Sequence, residues 1–219
     1  MKKIIKYLFL LTGGSFILAS CNDFLDREPL DSVTPDNFFF TENDLAAYAV
    51  KHYNFTTHEG FNAGIWKNDN ATDNQAATDY DKKWIPGQWK VPEAYDNPAS
   101  NDPWYFSTIR EANYFLETVV PRFEKGEIEG SETNIKHYIG EMYFLRAKNY
   151  LSKLETFGDF PIIKNTLPDE SESLIQASKR APRYKVAHFI LEDLDQAISL
   201  LTNNISGGKN RITKNAALL

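Results

Sequence analysis

An all-α fold, made of antiparallel helix pairs and interrupted by one long loop-rich insertion, is what three features of the sequence predict. Apolar residues recur at three-and-four spacing over long stretches near 139–154 and 187–201, the period that gathers side chains on one helical face. Gly and Pro stops separate these stretches into helix-turn-helix units. Residues 56–102 carry Asn, Asp, Gly, Thr and Pro throughout and hold no period, so they read as loop with at most short helical turns. An aperiodic stretch of that length inside a compact domain is more often functional than not.

The first segment reads as targeting rather than structure. Lys2, Lys3 and Lys6 precede an apolar core from Tyr7 to Ala19 that Gly13 and Gly14 interrupt. It is too short and too glycine-broken for a membrane span of about twenty residues. Residues 1–20 therefore predict a signal peptide, and Leu18-Ala19-Ser20-Cys21 resembles the bacterial lipobox, where cleavage leaves a lipid-bearing Cys at the new N-terminus. Cys21 is the only cysteine of the 219 residues, which excludes an internal disulfide framework. An anchor of several acyl chains, palmitate among them, holds a protein on a membrane without spanning it, since each buried methylene contributes roughly 0.8 kcal/mol. Residues 21–40 then read as an acidic extended tether, with Asp23, Asp26, Glu28, Asp31 and Asp36 and breaks at Pro29 and Pro35, the residue before each Pro being biased away from helix.

Helical structure over 41–219 is expected to start at Thr41, where Thr41-Glu42-Asn43-Asp44 has the pattern of a capping box. Leu45, Tyr48, Ala49, His52 and Tyr53 continue one face to about Phe55. After the insertion, Asp102-Pro103 suits a helix start with Pro in the first position. Tyr105, Ile109, Ala112, Leu116 and Val119 form its stripe, which should end near Pro121. The central helix has Ser131 as candidate N-cap and Ile139, Met142, Tyr143, Arg146/Ala147, Tyr150 and Leu154 on one face. Phe144, Leu145 and Leu151 widen that face, which predicts packing on two sides. Gly158 and Pro161 stop the helix, and Phe160-Pro161-Ile162-Ile163 should lie back on it. Asn165 to Ala181 reads as polar linker. A last strong helix opens near Pro182, keeps Ala187, Ile190, Leu191, Leu194, Ala197, Ile198 and Leu201 in register, and closes at Gly207-Gly208. Arg211 to Leu219 looks like a cap followed by one helical turn, a helix that begins without a partner, and so reads as a C-terminal truncation. Helix pairs of this kind suggest a tetratricopeptide-like array, although that repeat needs about 34 residues per unit and the spacing here is looser.

Charge and motifs narrow the function classes. Net charge is −6, and since residues 1–20 hold bases and no acid, the remainder is more acidic still. Nucleic-acid binding wants a basic patch and gains no support. The histidines, His52, His58, His137 and His188, show no metal-ligand spacing, and His137 and His188 read as structural or surface groups on helices. Asp69, Asp73, Asp79 and Asp81 miss the calcium-loop pattern and read as solvated loop acids. No Gly-x-Ser-x-Gly or phosphate loop is present. A glycosidase needs two carboxylates held about 5–9 Å apart, which sequence alone leaves open. The expectation is a protein without catalysis and without cofactor or metal.

Four motifs in order carry a resemblance. They are the lipobox at Cys21, the Tyr-Phe-Leu-Arg-Ala-x-x-Tyr-Leu-x-x-Leu…Phe-Gly-Asp-Phe-Pro stretch (143–161), the Pro-Arg-Tyr…Ile-Leu-Glu-Asp-Leu-x-x-Ala-Ile helix (182–198) and the Asn-Arg-Ile-Thr-Lys-Asn-Ala-Ala-Leu tail. Together, from Cys21 to the last residue, they resemble the SusD/RagB family of outer-membrane nutrient-binding lipoproteins of Bacteroidetes. The resemblance implies a mostly helical, tetratricopeptide-like protein facing the cell exterior from the outer membrane. It implies capture of oligosaccharide or peptide for a TonB-dependent, SusC-like transporter, with no catalysis. Members carry a further C-terminal part that contributes to the ligand face.

Within that reading the aromatics of the insertion are the ligand candidates. Trp66, Trp84, Trp89 and Trp104 all fall in or just after it. An indole or phenol ring offers a flat, rigid surface to the apolar face of a sugar, and nearby Asn and Asp can bond hydroxyls. Tyr80, Trp84, Trp89, Asp73 and Asn74 are the expected ligand-binding residues, Trp104 is expected in the core, and Trp66 is left open. The other reading of the same sequence is a helical-repeat scaffold lipoprotein that binds only protein partners.

Overall fold

The computed structural model describes residues 38–55, 85–88, 90–92, 102–205 and 210–219. Among the described residues it is helical, with six α-helices and no strand beyond two isolated bridges. They are α1 (Glu42–Lys51), α2 (Ser107–Lys125), α3 (Glu132–Phe157), α4 (Ser171–Ala177), α5 (Arg183–Leu200) and α6 (Lys214–Leu218).

α3 is the hub, in contact with α1, α2 and α5, while α6 rests on α5. Its width in sequence has this cause: two cores meet on it. The first half packs with α1, the second half of α2 and the tail around Phe39, Leu45, Phe115, Val119, Ile139, Met142 and Ile212. The second half packs with the start of α2, with α5 and with Phe160, around Ile109, Tyr150, Phe157, Val186 and Phe189. Cross-contacts fix the directions. Gly140 meets Leu201, Arg146 meets Asp193, and Tyr150 meets Phe189, so α5 runs antiparallel to α3. Lys136 lies over Phe123, while Arg146 bonds Asn113 and Lys153 bonds Tyr105, so α2 does too. At Gly140 α3 and the end of α5 touch closely: a Cβ there would stand 3.1 Å from Leu200 Cβ and 3.2 Å from the Leu201 nitrogen.

The capping box at α1 is present, with Asp44 N–H on Thr41 Oγ1 at 3.3 Å and Thr41 N–H on Asp44 Oδ2 at 3.0 Å. Packing nevertheless begins ahead of Thr41. Phe39 is fully buried at φ +70°, a conformation that costs a non-glycine residue about 1–2 kcal/mol. Its ring sits 5.0 Å from Tyr48, 5.0 Å from Phe38 and 5.3 Å from Phe115, all edge-on. Burial of such a ring contributes about 1.5–3 kcal/mol and each aromatic pair roughly 0.5–1.5 more, so packing outweighs the strain. Gly130, at φ +135°, turns the chain beneath Glu42. There the Glu42 carboxylate accepts from Ser131 N–H at 2.7 Å and Asn134 Nδ2 at 3.2 Å. Ser131 does occupy the N-cap position of α3, but its side chain makes no capping bond.

Several boundaries differ from the sequence reading. α1 ends at Lys51 and not near Phe55. α2 starts at Ser107 because Asp102 folds the chain into a turn first, its Oδ1 accepting from Trp104 N–H at 2.8 Å and its carbonyl from Tyr105 N–H at 3.0 Å, the usual competition of Asp with helix. α2 also continues through Pro121 to Lys125. Pro121 is exposed, and the turn beyond it is held by Arg122 Nη1 on Phe38 O at 2.7 Å and by Phe123 against the core. The polar linker contains α4, which buries no residue and so leaves no periodic trace. α5 ends at Leu200, where Leu201 turns extended. Leu151 and Leu191, placed on apolar faces by spacing, are exposed, whereas Val186, Phe189 and Asp193 of α5 are buried. Phe160–Ile163 does lie back on α3: Tyr150 Oη accepts from Ile163 N–H at 2.8 Å and donates to its carbonyl at 3.2 Å.

Candidate functional site

The stems of the long insertion are both held by α3. Lys148 Nζ donates to Asn54 O at 2.8 Å, where the chain leaves α1. Lys153 Nζ donates to the Pro103 carbonyl and, at 3.1 Å, to Tyr105 O, where the chain returns. The two lysines are five residues apart, about 7.5 Å along a helix, so one short stretch of α3 fixes both ends. Partial burial lowers the pKa of each ammonium, with Asp102 opposing the shift at Lys153. Trp104 adds a third tie, its indole Nε1 donating to Pro92 O at 2.9 Å. Within the insertion, Ile85-Pro86-Gly87-Gln88 closes a turn through Gln88 N–H on Ile85 O at 3.0 Å, with Gly87 at φ +81°. Pro before a left-handed Gly is the type II arrangement.

Beside the returning stem lies a cleft of about 430 Å³ between the start of α2, the Pro161–Leu167 segment and α4. Trp104, Phe106, Ile109, Pro161, Ile163 and Leu174 supply apolar wall, and Arg110, Asn113 and Asn165 supply polar groups, a lining and size common in ligand clefts. One Trp104 face packs on Phe157 at 4.2 Å, and the Arg180 guanidinium lies 5.1 Å from its ring centre. Trp104 is thus a half-buried member of the second core and also cleft wall, more than the core residue that the sequence suggested.

Cys21, Asp73, Asn74, Tyr80, Trp84 and Trp89 lie outside the described residues, as do Trp66 and His58. Of the other histidines, His188 is exposed and His137 is fully buried. Among the described residues no group of three His, Cys, Asp or Glu is placed to hold a metal.

Two buried polar networks were not singled out by the sequence reading. Glu141 is fully buried and accepts from Tyr53 Oη at 2.7 Å, from Arg211 Nε at 2.9 Å and from Arg211 Nη2 at 2.5 Å. His137 Nδ1 accepts from Thr202 N–H at 3.2 Å, so Nε2 carries the hydrogen that points to Glu141 at 3.1 Å. This network ties the end of α1 and the tail to α3. The second network centres on Arg146, which grips Asp193 through two bonds at 2.8 and 2.7 Å and reaches Asn113 Oδ1 at 2.8 Å. Asn113 Nδ2 in turn donates to Ile163 O at 2.9 Å. Burial holds the Asp193 carboxyl above the usual carboxylate range despite the Arg146 guanidinium. The signal for it was Arg146 itself, standing on an otherwise apolar face.

Comparison with known proteins agrees with this architecture. Residues 23–218 match the sequence model of a SusD-like family described as starch-binding and associating with the outer membrane. SusD-like protein P38 of Formosa agariphila is 27% identical over 203 residues, which is 90% of this chain and 37% of the relative. SusD-like protein P2 of the same organism is 26% identical over 186 residues, 82% of this chain and 35% of that protein. A crystal structure of a SusD-like protein from Bacteroides fragilis superposes with a TM-score of 0.56 at 26% identity, over 87% of this chain and 36% of that one. A SusD-like carbohydrate binding protein from the same species shares the fold, with a TM-score of 0.58 at 18% identity over 83% and 36% of the two chains. The chain thus spans little more than a third of the length of these relatives. By a match over nearly its whole length, and with the helical frame to go with it, this chain belongs to the SusD-like family.

Proposed function

We propose that this chain acts at the cell surface as a lipid-anchored, non-catalytic glycan-capture protein that hands oligosaccharide to a TonB-dependent outer-membrane transporter. The observation that carries the reading is the family match over residues 23–218, whose description couples starch binding to the outer membrane. In this reading residues 1–20 are the signal peptide, Cys21 carries the lipid, and residues 22–37 tether the helical body, since Phe39 already belongs to its core. Tyr80, Trp84, Trp89, Asp73 and Asn74 contact the sugar from the insertion whose stems Lys148 and Lys153 hold. Stacking of a sugar face on an indole needs a presented ring, and a clamped insertion lowers the ordering cost of presenting one.

The test is retention on a neutral glucan in affinity electrophoresis. Trp84→Ala and Trp89→Ala are expected to lose retention with an unchanged melting curve, and unchanged retention in both would remove them from the site. Radiolabelled palmitate should enter the wild type and not Cys21→Ala. Silence on a glycan array together with stable co-purification of a transporter would favour a scaffold that binds protein alone.

A further inference from the structure

The cleft between the start of α2, the Pro161–Leu167 segment and α4 has a lining that a sugar does not match. Phe106, Ile109, Ile163, Leu167, Leu174 and Ala177 belong to its apolar wall, and no carboxylate lines it. Its polar groups are few and partly engaged. Asn113 accepts from Arg146 Nη1 and donates to the Ile163 and Asn165 carbonyls, and Ser178 Oγ donates to Ile175 O. The exposed side chains of Arg110 and Asn165 have no hydrogen bond or ion pair among the described residues. A bare sugar carries a hydroxyl on nearly every ring carbon, and each one buried without a partner is costly. α4 points the same way. It buries none of its seven residues, and Leu174 is 42% exposed, yet the Phe160–Ala181 bridge pins the chain just beyond it. Leu174 and Ala177 thus face the cleft from a helix with no core of its own. Charge is the third observation. From Ser173 to Leu191 the chain holds Lys179, Arg180, Arg183 and Lys185 and no acid, against a net charge of −6 overall. All four are exposed, and the Arg180 guanidinium lies over the Trp104 wall.

We propose that this cleft binds a small arylcarboxylate, with its ring against Phe106, Ile163 and Leu174 and its carboxylate on the Arg110 guanidinium. A ring presents no hydroxyl to the apolar wall and is rigid, so little conformational freedom is lost on binding. An apolar cavity of roughly 150 Å³ already holds a benzene, and the 430 Å³ here admits a ring with a short acidic side chain. The guanidinium fork matches a carboxylate through two parallel hydrogen bonds, and Asn165 Nδ2 is a further donor on the same lining. The cationic rim attracts the anion. A ring in this place also supplies the apolar partner that α4 lacks. The inference rests on the cleft alone and not on glycan capture by the insertion.

The test uses the full chain in calorimetric titrations with cinnamate, methyl cinnamate, hexanoate and glucose. Cinnamate is expected to bind at least tenfold more tightly than each of the other three. Arg110→Gln is expected to weaken cinnamate about tenfold, to the level of methyl cinnamate, and to leave methyl cinnamate unchanged. Leu174→Asn, on a helix that buries nothing, is expected to weaken both about tenfold. Both changes fall on exposed side chains, so the melting curves should match the wild type. Cinnamate no tighter than methyl cinnamate overturns the proposal on the wild type alone, whatever the variants do. Unaltered cinnamate binding in either variant overturns it as well. Hexanoate as tight as cinnamate overturns the choice of a ring, and glucose as tight overturns the exclusion of a sugar from this cleft.

Discussion

Breaking the Arg146–Asp193 pair from either side should give two different pH signatures. The side chains are 7% and 4% exposed, so solvent screens the pair little. Removing one partner of a buried pair costs about 3–5 kcal/mol. At about 2–4 °C per kcal/mol for a domain of this size, each single variant should melt roughly 6–20 °C lower. Asp193→Leu leaves a guanidinium that cannot lose its proton, so its deficit should stay flat with pH. Arg146→Met leaves a carboxyl that burial already pushes up and takes away the guanidinium hydrogen bonds that oppose the shift. Its folded pKa then lies above the unfolded value. The folded state binds more protons between those two values, and stability returns as pH falls through the folded one. Arg146→Met also strips Asn113 Oδ1 of its donor, an added cost of about 1–3 kcal/mol. The double variant Arg146→Met with Asp193→Leu removes both charges and should regain most of the loss, since apolar replacements of buried pairs are often neutral. Urea unfolding followed by far-ultraviolet circular dichroism between pH 5 and 8 measures all three. A cost under about 1 kcal/mol for Asp193→Leu, or a deficit in Arg146→Met that grows as pH falls, would refute the reasoning.

Two further outcomes follow from the same frame. Gly140→Ala gains about 1 kcal/mol of helix propensity, but its methyl meets the Leu201 backbone nitrogen, which cannot swing away. Overpacking of about 1–3 kcal/mol should win, and a variant as stable to urea as the wild type would show that the end of α5 yields. Burial pushes the Tyr150 hydroxyl up to about 12, so the folded state keeps a proton that the unfolded chain loses from about pH 10. That share of stability is intact below pH 10 and is lost as pH rises towards 12. Tyr150→Phe should flatten the alkaline arm of a stability–pH curve, at a neutral-pH cost of about 1 kcal/mol, and an identical arm in both proteins would exclude Tyr150 as its source.

Helices with a wide apolar face were legible because burial imposes the 3.6 period that spacing reads. Tyr150, Ile139, Ala197 and the Thr41 cap stand where the pattern puts them. Boundaries were less so. Pro121 reads as a stop when only local cost is weighed, yet Arg122 and Phe123 find tertiary partners that carry the helix on. α4 is short and solvated, so no face was selected. The polar networks were least legible. Arg146 could be flagged from its place on an apolar face, but its partners Asn113 and Asp193 lie 33 and 47 residues away, and nothing local marks them.

Both stems of the insertion are fixed to the helical frame by main-chain ties, and α3 supplies them. A flexible loop costs closure entropy that grows only slowly, by about 0.6 kcal/mol for each doubling of length, provided that its ends are already close. Here Lys148 and Lys153 bring them close by donating to main-chain carbonyls, Asn54 O on one side and Pro103 and Tyr105 O on the other. A carbonyl is present whatever the side chain, so these ties constrain the stems without dictating the residues between them. The insertion can therefore change sequence while the Glu141 and Arg146 networks keep the same helices in register. In the proposed function, then, ligand choice resides in residues 56–102 and stability in the helices, and the two lysines are where the one is joined to the other.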